Sequence, residues 1–189
     1  MQKLTNIKDG DNMPGTAIEP LWKGSHMSVI NVHDWEVVNE PDMVILLPYF
    51  VDRGLFCVRY EYVPPYSYRD PSHTNFITVI SGTVEEGEAI KDCARRELAE
   101  ETGIILGVDY DLQLHKSVHV SKGNTAMYHV FILPIREGEY SIQEATGDGS
   151  ESEKKSKTVY YDLDSISNVV PSDVITAYSL MVLRETFVN

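Results

Sequence analysis

The chain has 189 residues and a formal net charge of −13, with 42% hydrophobic and 24% charged residues, which is an ordinary composition for a folded domain. No apolar run approaches the roughly 18 residues that a membrane-spanning helix needs, so we expect no membrane contact. The 16 lysines and arginines are scattered along the chain without a local cluster, which disfavours binding to long RNA or DNA.

The N-terminal part is polar and is interrupted by glycine and proline, so we treat 1–26 as an extension and 27–189 as one domain. The extension lacks the basic start and apolar core of a secretory signal. The two cysteines, Cys57 and Cys93, fall in a predicted strand and a predicted helix, which favours buried thiols in a cytoplasmic protein. The tetrapeptide Gly-Ser-His-Met at 24–27 resembles the remnant of a removed affinity tag, in which case the extension is tag-derived.

Two β-hairpins are predicted from apolar, β-branched runs. The first joins strands at 43–50 and 55–62 across an Asp-Arg-Gly turn, and residues 27–38 supply one or two further strands. The second joins strands at 112–120 and 125–135 across Lys-Gly-Asn. Strands therefore occupy both sides of the central part of the chain.

The remaining elements are shorter. Residues 66–75 form a polar, aromatic loop that leads into a strand at 76–81. An acidic, glycine-containing loop at 147–156 precedes a short strand at 158–162. Ser172 is placed to cap a last amphipathic helix.

The central stretch, residues 82–104, reads GTVEEGEAIKDCARRELAEETGI. Good helix formers fill it from about residue 89 to residue 102, and Gly103 stands where a left-handed helix stop is usual. At about 100° per residue, Ile90, Ala94 and Leu98 form the apolar stripe that should face the core. The stretch is therefore predicted to be a strand end, a glycine loop, a helix and a stop.

The predicted helix carries acids on its inward flank. Glu97 and Glu101 lie beside the apolar stripe with Glu100 at its edge, and like charges four residues apart repel unless a cation compensates them. Clustered carboxylates suit Mg²⁺ or Mn²⁺. Arg96 is spaced to pair with Glu100 on the adjoining face. The alternative is an acidic, solvated helix whose carboxylates bind nothing.

The whole spacing resembles the Nudix box, GX5EX7REUXEEXGU with U an aliphatic residue, and every specified position is met. The resemblance implies an α/β/α sandwich with a mixed β-sheet. The pattern of strands before and after one helix, followed by a closing helix, independently indicates an α/β or α+β fold with a mixed sheet between helices.

The resemblance also implies an activity and assigns residues to it. Nudix hydrolases generally cleave a nucleoside diphosphate that is linked to another group, X, by attack of water at phosphorus. Glu97, Glu100 and Glu101 match the box carboxylates that hold Mg²⁺ or Mn²⁺, and the carbonyl of Ser81 matches a backbone ligand. Arg96 matches the residue that orients these carboxylates.

The general base is less well defined by the resemblance. In some members it is a box glutamate, and in those acting on ADP-ribose-like substrates it tends to be a glutamate in a later loop. Glu151 and Glu153 lie in such a loop here, and Glu144 is a weaker candidate. The alternative for each is a solvated loop acid.

Val58 and Arg59 resemble the start of the V-R-Q-Y-R strand of ADP-ribose and nucleotide-sugar pyrophosphatases, but Glu61 and Tyr62 replace its tyrosine and closing arginine. We expect aromatic and basic side chains in this region to contact a base or a phosphate. The alternatives are strand packing and a surface loop. The candidate substrate contacts are Arg59, Tyr60, Tyr62 and Arg69.

The sequence thus predicts a metal-dependent pyrophosphatase acting on a small nucleotide-derived substrate, with ADP-ribose or a nucleotide sugar favoured. The alternatives are a (d)NTP pyrophosphohydrolase and a Nudix-fold sensor that binds a nucleotide without turnover. Sensors commonly lose box carboxylates, whereas this chain retains them, which favours the enzyme. A homodimer is compatible with either.

Overall fold

A computed structural model describes residues 19–147 and 155–188 of the chain. The strands are β1 (Trp22–Lys23), β2 (Ser28–Val32), β3 (Trp35–Asn39), β4 (Met43–Phe50), β5 (Leu55–Tyr62), β6 (Asn75–Thr78), β7 (Ile80–Thr83), β8 (Ile104–Leu106), β9 (Lys116–His119), β10 (Met127–Ile135), β11 (Tyr140–Ile142) and β12 (Lys157–Asp162). The α-helices are α1 (Pro64–Arg69), α2 (Ile90–Thr102) and α3 (Val174–Phe187), and short 3₁₀ helices cover Val51–Arg53 and Leu163–Asn168.

A mixed seven-stranded sheet forms the centre of the domain. Its main path is β12-β5-β4-β10-β9, while β6 pairs with β5 and β7 pairs with β4. The β4–β10 pair is parallel and the other pairs in this sheet are antiparallel. Two smaller sheets, β1-β2-β3 and β11-β8, flank it.

Strand β4 lies at the middle of this sheet and is buried on both faces, which explains its nearly continuous apolar sequence. Val44 and Leu46 pack on the α2 side, while Ile45 and Leu47 pack on the α3 side. The first half of β4 pairs with β7 and its end pairs with β5. Pro48, which has no N–H to donate, lies between those two paired segments.

Helices cover both faces of the sheet. Cys93, Ala94 and Leu98 of α2 belong to one buried cluster, and Leu180 and Leu183 of α3 belong to the other. The expected mixed sheet between helices is therefore confirmed, as is the apolar stripe that turns α2 toward the core.

The two cysteines are free and buried, as expected, and burial raises the pKa of each thiol to about 12. They lie on different elements, Cys57 on β5 and Cys93 on α2. Thiols that stay protonated at neutral pH are poor metal ligands and nucleophiles. Both cysteines therefore serve as small apolar side chains.

Four local predictions were wrong in detail. The expected strand at 112–120 is shorter, since β9 covers Lys116–His119. The expected loop at 66–75 is partly helical, because Pro64 and Pro65 occupy the first turn of α1, where proline is tolerated. The expected strand at 76–81 is two strands, since β6 and β7 pair with different partners on either side of Val79. Asp173 caps α3 in place of Ser172, and its Oδ1 accepts from Thr176 N at 2.7 Å.

The N-terminal segment contributes structure before residue 27. Strand β1, at Trp22–Lys23, pairs antiparallel with Ser28 and Val29 of β2, inside the stretch that we assigned to an extension. The boundary between 1–26 and 27–189 remains a prediction, because the structure does not describe residues 1–18. In the described part of the chain, no helix is long and apolar enough to cross a membrane.

Two glycines with positive φ differ in the space around them, and one of them ends α2. Gly103 (φ 74°) stops α2, and a Cβ there would lie 2.0 Å from the carbonyl oxygen of Gln143, whereas Gly54 (φ 63°) has open space around the same position. Gly54→Ala should therefore cost only the left-handed backbone strain, about 1–2 kcal/mol. Gly103→Ala must also displace backbone, so we expect a loss of about 3 kcal/mol or more.

Urea unfolding of both variants against the wild-type chain measures the two losses. Equal destabilisation by the two substitutions would show that the close approach of Gln143 to Gly103 does not constrain the end of α2.

Candidate active site

A close contact between strand β7 and helix α2 positions the first acid of the site. Gly82 pairs with Val44 of β4, and a Cβ on Gly82 would lie 1.8 Å from the side-chain carboxyl carbon of Glu97. Only glycine leaves room for this carboxylate to lie against the strand. The first glycine of the motif is therefore required here for close approach rather than for a positive φ.

One guanidinium gathers three carboxylates. Arg96 Nε and Nη2 donate to the two oxygens of Glu88, each at 2.9 Å. Arg96 Nη1 donates to Glu97 Oε1 at 2.6 Å and to Glu100 Oε2 at 3.1 Å. Arg96 Nη2 also donates to the carbonyl of Thr83 at 3.1 Å, which ties the helix to the end of β7. The predicted pair between Arg96 and Glu100 is thus confirmed.

The electrostatics of this cluster differ from acid to acid. The hydrogen bonds from Arg96 lower the pKa of Glu88 to about 2, and its three carboxylate partners raise the pKa of Arg96. Burial raises the pKa of Glu97, although Arg96 opposes that shift. Three carboxylates around a single guanidinium leave excess negative charge, which favours a further cation.

The third predicted metal ligand has a separate partner. Glu101 Oε2 forms an ion pair with Arg59 Nη2 at 2.8 Å, and Arg59 Nη1 donates to the main-chain carbonyl of Glu101 at 2.7 Å. Thr158 of β12 touches both groups, since its Oγ1 lies 3.3 Å from Arg59 Nη1 and 3.3 Å from the Glu101 carbonyl. Strands β5 and β12 therefore hold the end of α2.

These side chains fit a divalent cation by their chemistry. Glu97, Glu100 and Glu101 supply hard oxygen donors on one end of α2, and Ser81 precedes Gly82 in β7 beneath Glu97. No group of three or more acidic, histidine or cysteine side chains in the described residues is already arranged around a metal position. Arg96 contacts one oxygen of Glu97 and one of Glu100, and Arg59 contacts one oxygen of Glu101.

The structure does not bring the four predicted substrate residues together. Arg59 lies on the α2 side of the sheet, buried to 5% exposure. Tyr60 and Tyr62 alternate with Arg59 along β5 and so point to the other face. There the ammonium groups of Lys157 and Lys155 lie 5.4 and 5.3 Å from the ring centres of Tyr60 and Tyr62.

The last of the four substrate candidates, Arg69, is exposed at the C-terminal end of α1. It therefore lies on a different element from the other three. The four residues therefore do not form a single surface that could contact the substrate.

Both candidate general bases, Glu151 and Glu153, lie outside the described residues. The chain is anchored on either side of them. Gly147 N donates to the carbonyl of Glu100 at 3.1 Å, and Asn75 Nδ2 donates to the carbonyl of Lys155 at 3.0 Å. Gly147, the last described residue before these two acids, is therefore held at a box glutamate of α2. The weaker candidate, Glu144, is described and exposed.

Sequence reasoning missed one acid near this site. Glu61 is half-buried on β5, accepts from Thr78 Oγ1 at 2.6 Å, and has its pKa raised mainly by burial, with the charge of Arg59 opposing the shift. The available signal was the two-residue period of β5, which places Glu61 on the same face as Arg59. Buried carboxylates with raised pKa values often occur at functional sites.

Comparison with known proteins places this geometry in a family. The model of the NUDIX domain matches residues 52–175, which is more than half of the chain and includes the whole motif. A crystal structure of an ADP compounds hydrolase has the same fold, with a TM-score of 0.63, 16% sequence identity, and coverage of 90% of this chain and 91% of that one. No curated protein matches the sequence. The chain therefore belongs to the Nudix family and is a Nudix hydrolase.

Proposed function

We propose that this protein hydrolyses the diphosphate linkage of a small nucleoside-diphosphate-X compound, with ADP-ribose or a nucleotide sugar as the favoured substrate, and that it does so with bound Mg²⁺ or Mn²⁺. One observation carries the proposal. The last two turns of α2 carry Glu97, Glu100 and Glu101, each held by an arginine, in a chain whose Nudix motif is complete.

Some of these residues would bind the cations, and others orient the residues that bind them. Glu97, Glu100, Glu101 and the carbonyl of Ser81 would hold the cations, whose charge when bound offsets the diphosphate oxygens and favours deprotonation of water. Arg96 fixes the starting positions of Glu97 and Glu100 through a single guanidinium. The low pKa of Glu88 keeps it ionised at neutral pH, so it remains a firm anchor for Arg96.

Two observations support a small substrate. The chain has 29 Asp and Glu against 16 Lys and Arg, and this negative charge disfavours binding of a long polyanion such as RNA. It is compatible with binding of a diphosphate whose charge is neutralised locally by metal. The matched solved structure, although too distant to transfer a substrate, is of a hydrolase of ADP compounds. The acidic balance also favours an enzyme that binds no nucleic acid, and the two free, buried cysteines are compatible with a cytoplasmic protein. A homodimer is compatible with this function.

The alternatives differ in what they release. A (d)NTP pyrophosphohydrolase would release pyrophosphate from a nucleoside triphosphate, whereas a sensor would bind the nucleotide and release nothing. The complete carboxylate set favours turnover over sensing, because Nudix-fold sensors commonly lose box carboxylates.

A substrate panel tests the proposal. With Mg²⁺ at physiological salt and matched concentrations, we expect ADP-ribose or a nucleotide sugar to be cleaved to two monophosphates faster than (d)NTPs or capped RNA. A chelator should abolish the activity, and added Mg²⁺ or Mn²⁺ should restore it. Faster cleavage of capped RNA would reverse the assigned substrate class, and binding without product would favour the sensor.

The general base is proposed to be Glu151 or Glu153, in the segment anchored at Gly147 and Lys155. Glu151→Gln with Glu153→Gln should lower kcat by about 10²–10⁴-fold, the usual contribution of a general base. Metal affinity should stay unchanged, because neither residue is a proposed ligand. Kinetics with a Mg²⁺ titration measure both quantities, with Glu86→Gln, at an exposed acid, as the control. If the double variant keeps the wild-type kcat, a box glutamate becomes the better candidate.

A further inference from the structure

Arg59 is a deeply buried cation in contact with a proposed metal ligand. It is 5% exposed, in the middle of β5, and its guanidinium contacts Glu101 at two points. Such burial leaves little surface for a substrate phosphate to reach. We expected from the sequence that Arg59 binds substrate. Its burial supports a second interpretation, in which Arg59 holds Glu101.

The two contacts restrain Glu101 in different ways. Nη2 holds the side-chain Oε2 at 2.8 Å, while Nη1 holds the main-chain carbonyl at 2.7 Å. That carbonyl belongs to the last turn of α2, whose final four C=O groups have no partner within the helix. Because both nitrogens belong to one rigid plane, the side-chain conformation of Glu101 and the position of the helix end are set together.

In the described part of the chain, one N–H group of Arg59 is buried without a hydrogen bond, which is unfavourable for stability. Its Nε is buried and has no hydrogen-bond partner among the described residues. A buried guanidinium with an unpaired N–H is costly, and replacing a buried ion pair with apolar side chains is often neutral or stabilising. The position of this arrangement beside Glu101 therefore favours a role in the site.

Arg95, on the same helix as Glu101, shows the contacts of a purely structural arginine. Its Nη2 donates to the carbonyl of Tyr110 at 2.6 Å and its Nη1 donates to the carbonyl of Gly107 at 3.2 Å. Within the described part of the chain, its hydrogen-bond partners are main-chain oxygens, and none of them is a proposed metal ligand. Arg95 is consequently a matched control for the loss of a multidentate arginine at α2.

We propose that Arg59 is a positioning residue, which sets the orientation of the Glu101 carboxylate for binding a divalent cation and does not itself contact the substrate. This inference rests on the proposed metal-dependent function. It applies to residues that are 42 positions apart in the sequence and that the Nudix motif does not connect. Thr158 completes the arrangement by contacting both partners.

The direct test is Mn²⁺ binding, measured by the electron paramagnetic resonance signal of free Mn²⁺ in the absence of substrate. Arg59→Lys keeps the charge but not the two-point geometry, and we expect it to weaken Mn²⁺ binding by about 10- to 100-fold, the usual effect of losing a group that orients a metal ligand. Arg95→Lys should lower thermal stability yet leave the Mn²⁺ dissociation constant within about twofold of wild type.

A second variant covers the case in which Arg59→Lys does not fold. Thr158→Val removes one hydroxyl from the Arg59–Glu101 contact without changing charge, and we expect Mn²⁺ binding to weaken by about three- to tenfold, the equivalent of one hydrogen bond. Kinetics add a further readout. A positioning role raises the Mg²⁺ concentration needed for half-maximal rate while leaving KM for the substrate at saturating Mg²⁺ nearly unchanged.

The outcomes separate the two proposals. If wild-type protein neither binds Mn²⁺ nor cleaves a nucleoside diphosphate compound, the proposed function itself fails. Suppose instead that wild type binds Mn²⁺ and cleaves such a compound. If the Mn²⁺ dissociation constants of Arg59→Lys and Thr158→Val then equal that of Arg95→Lys, the positioning role of Arg59 is overturned. If Arg59→Lys instead raises KM at unchanged Mn²⁺ affinity, Arg59 contacts the substrate.

Discussion

The guanidinium of Arg96 is the interaction on which the site depends. Helix α2 turns several carboxylates toward a partly buried surface, where like charges repel and lose water. Arg96 offsets that cost by donating to Glu88, Glu97 and Glu100 at once. Arg96 also donates to the carbonyl of Thr83, which joins the acids to the sheet. Without this cation the helix could not carry its acids in a fixed arrangement.

The fold places this helix through a few backbone constraints. Strand β4 exchanges its partner from β7 to β5 near Pro48, and this leaves β7 beneath the acidic flank of α2. Gly82 then allows Glu97 to lie against β7, and Gly103 allows the chain to leave α2 toward β8. Arg59 fastens the end of the helix to β5. Sheet, helix and site are thus parts of one arrangement rather than a scaffold with an added motif.

Sequence alone was sufficient for the parts that local patterns determine. Strands β4 and β5 begin and end where the apolar runs predicted, and α2 stops at Gly103 because a left-handed residue is needed there. The pair between Arg96 and Glu100 followed from helical spacing. Contacts within one element, or four residues apart on it, could therefore be predicted.

Contacts between distant elements could not be predicted. Nothing local in the sequence indicates that Arg59 meets Glu101, because that ion pair depends on how β5 and α2 pack. The separation of Arg59 from Tyr60 and Tyr62, in contrast, was available from the two-residue period of a strand, which our grouping of the three residues did not apply. The cap at Asp173 in place of Ser172 depended on a one-residue choice between two good capping residues.

The central claim is that the carboxylates on α2 hold the cations that hydrolysis requires. Turnover of the best substrate across a Mg²⁺ titration, for Glu97→Gln, Glu101→Gln and the exposed loop control Glu86→Gln, tests it most directly. Loss of one ligand charge should lower kcat by at least about 100-fold in the first two variants, on the scale of lost electrostatic stabilisation, while the fold persists. The control should keep the wild-type rate. A near-normal kcat in Glu97→Gln or Glu101→Gln, with Mg²⁺ present, would contradict the account.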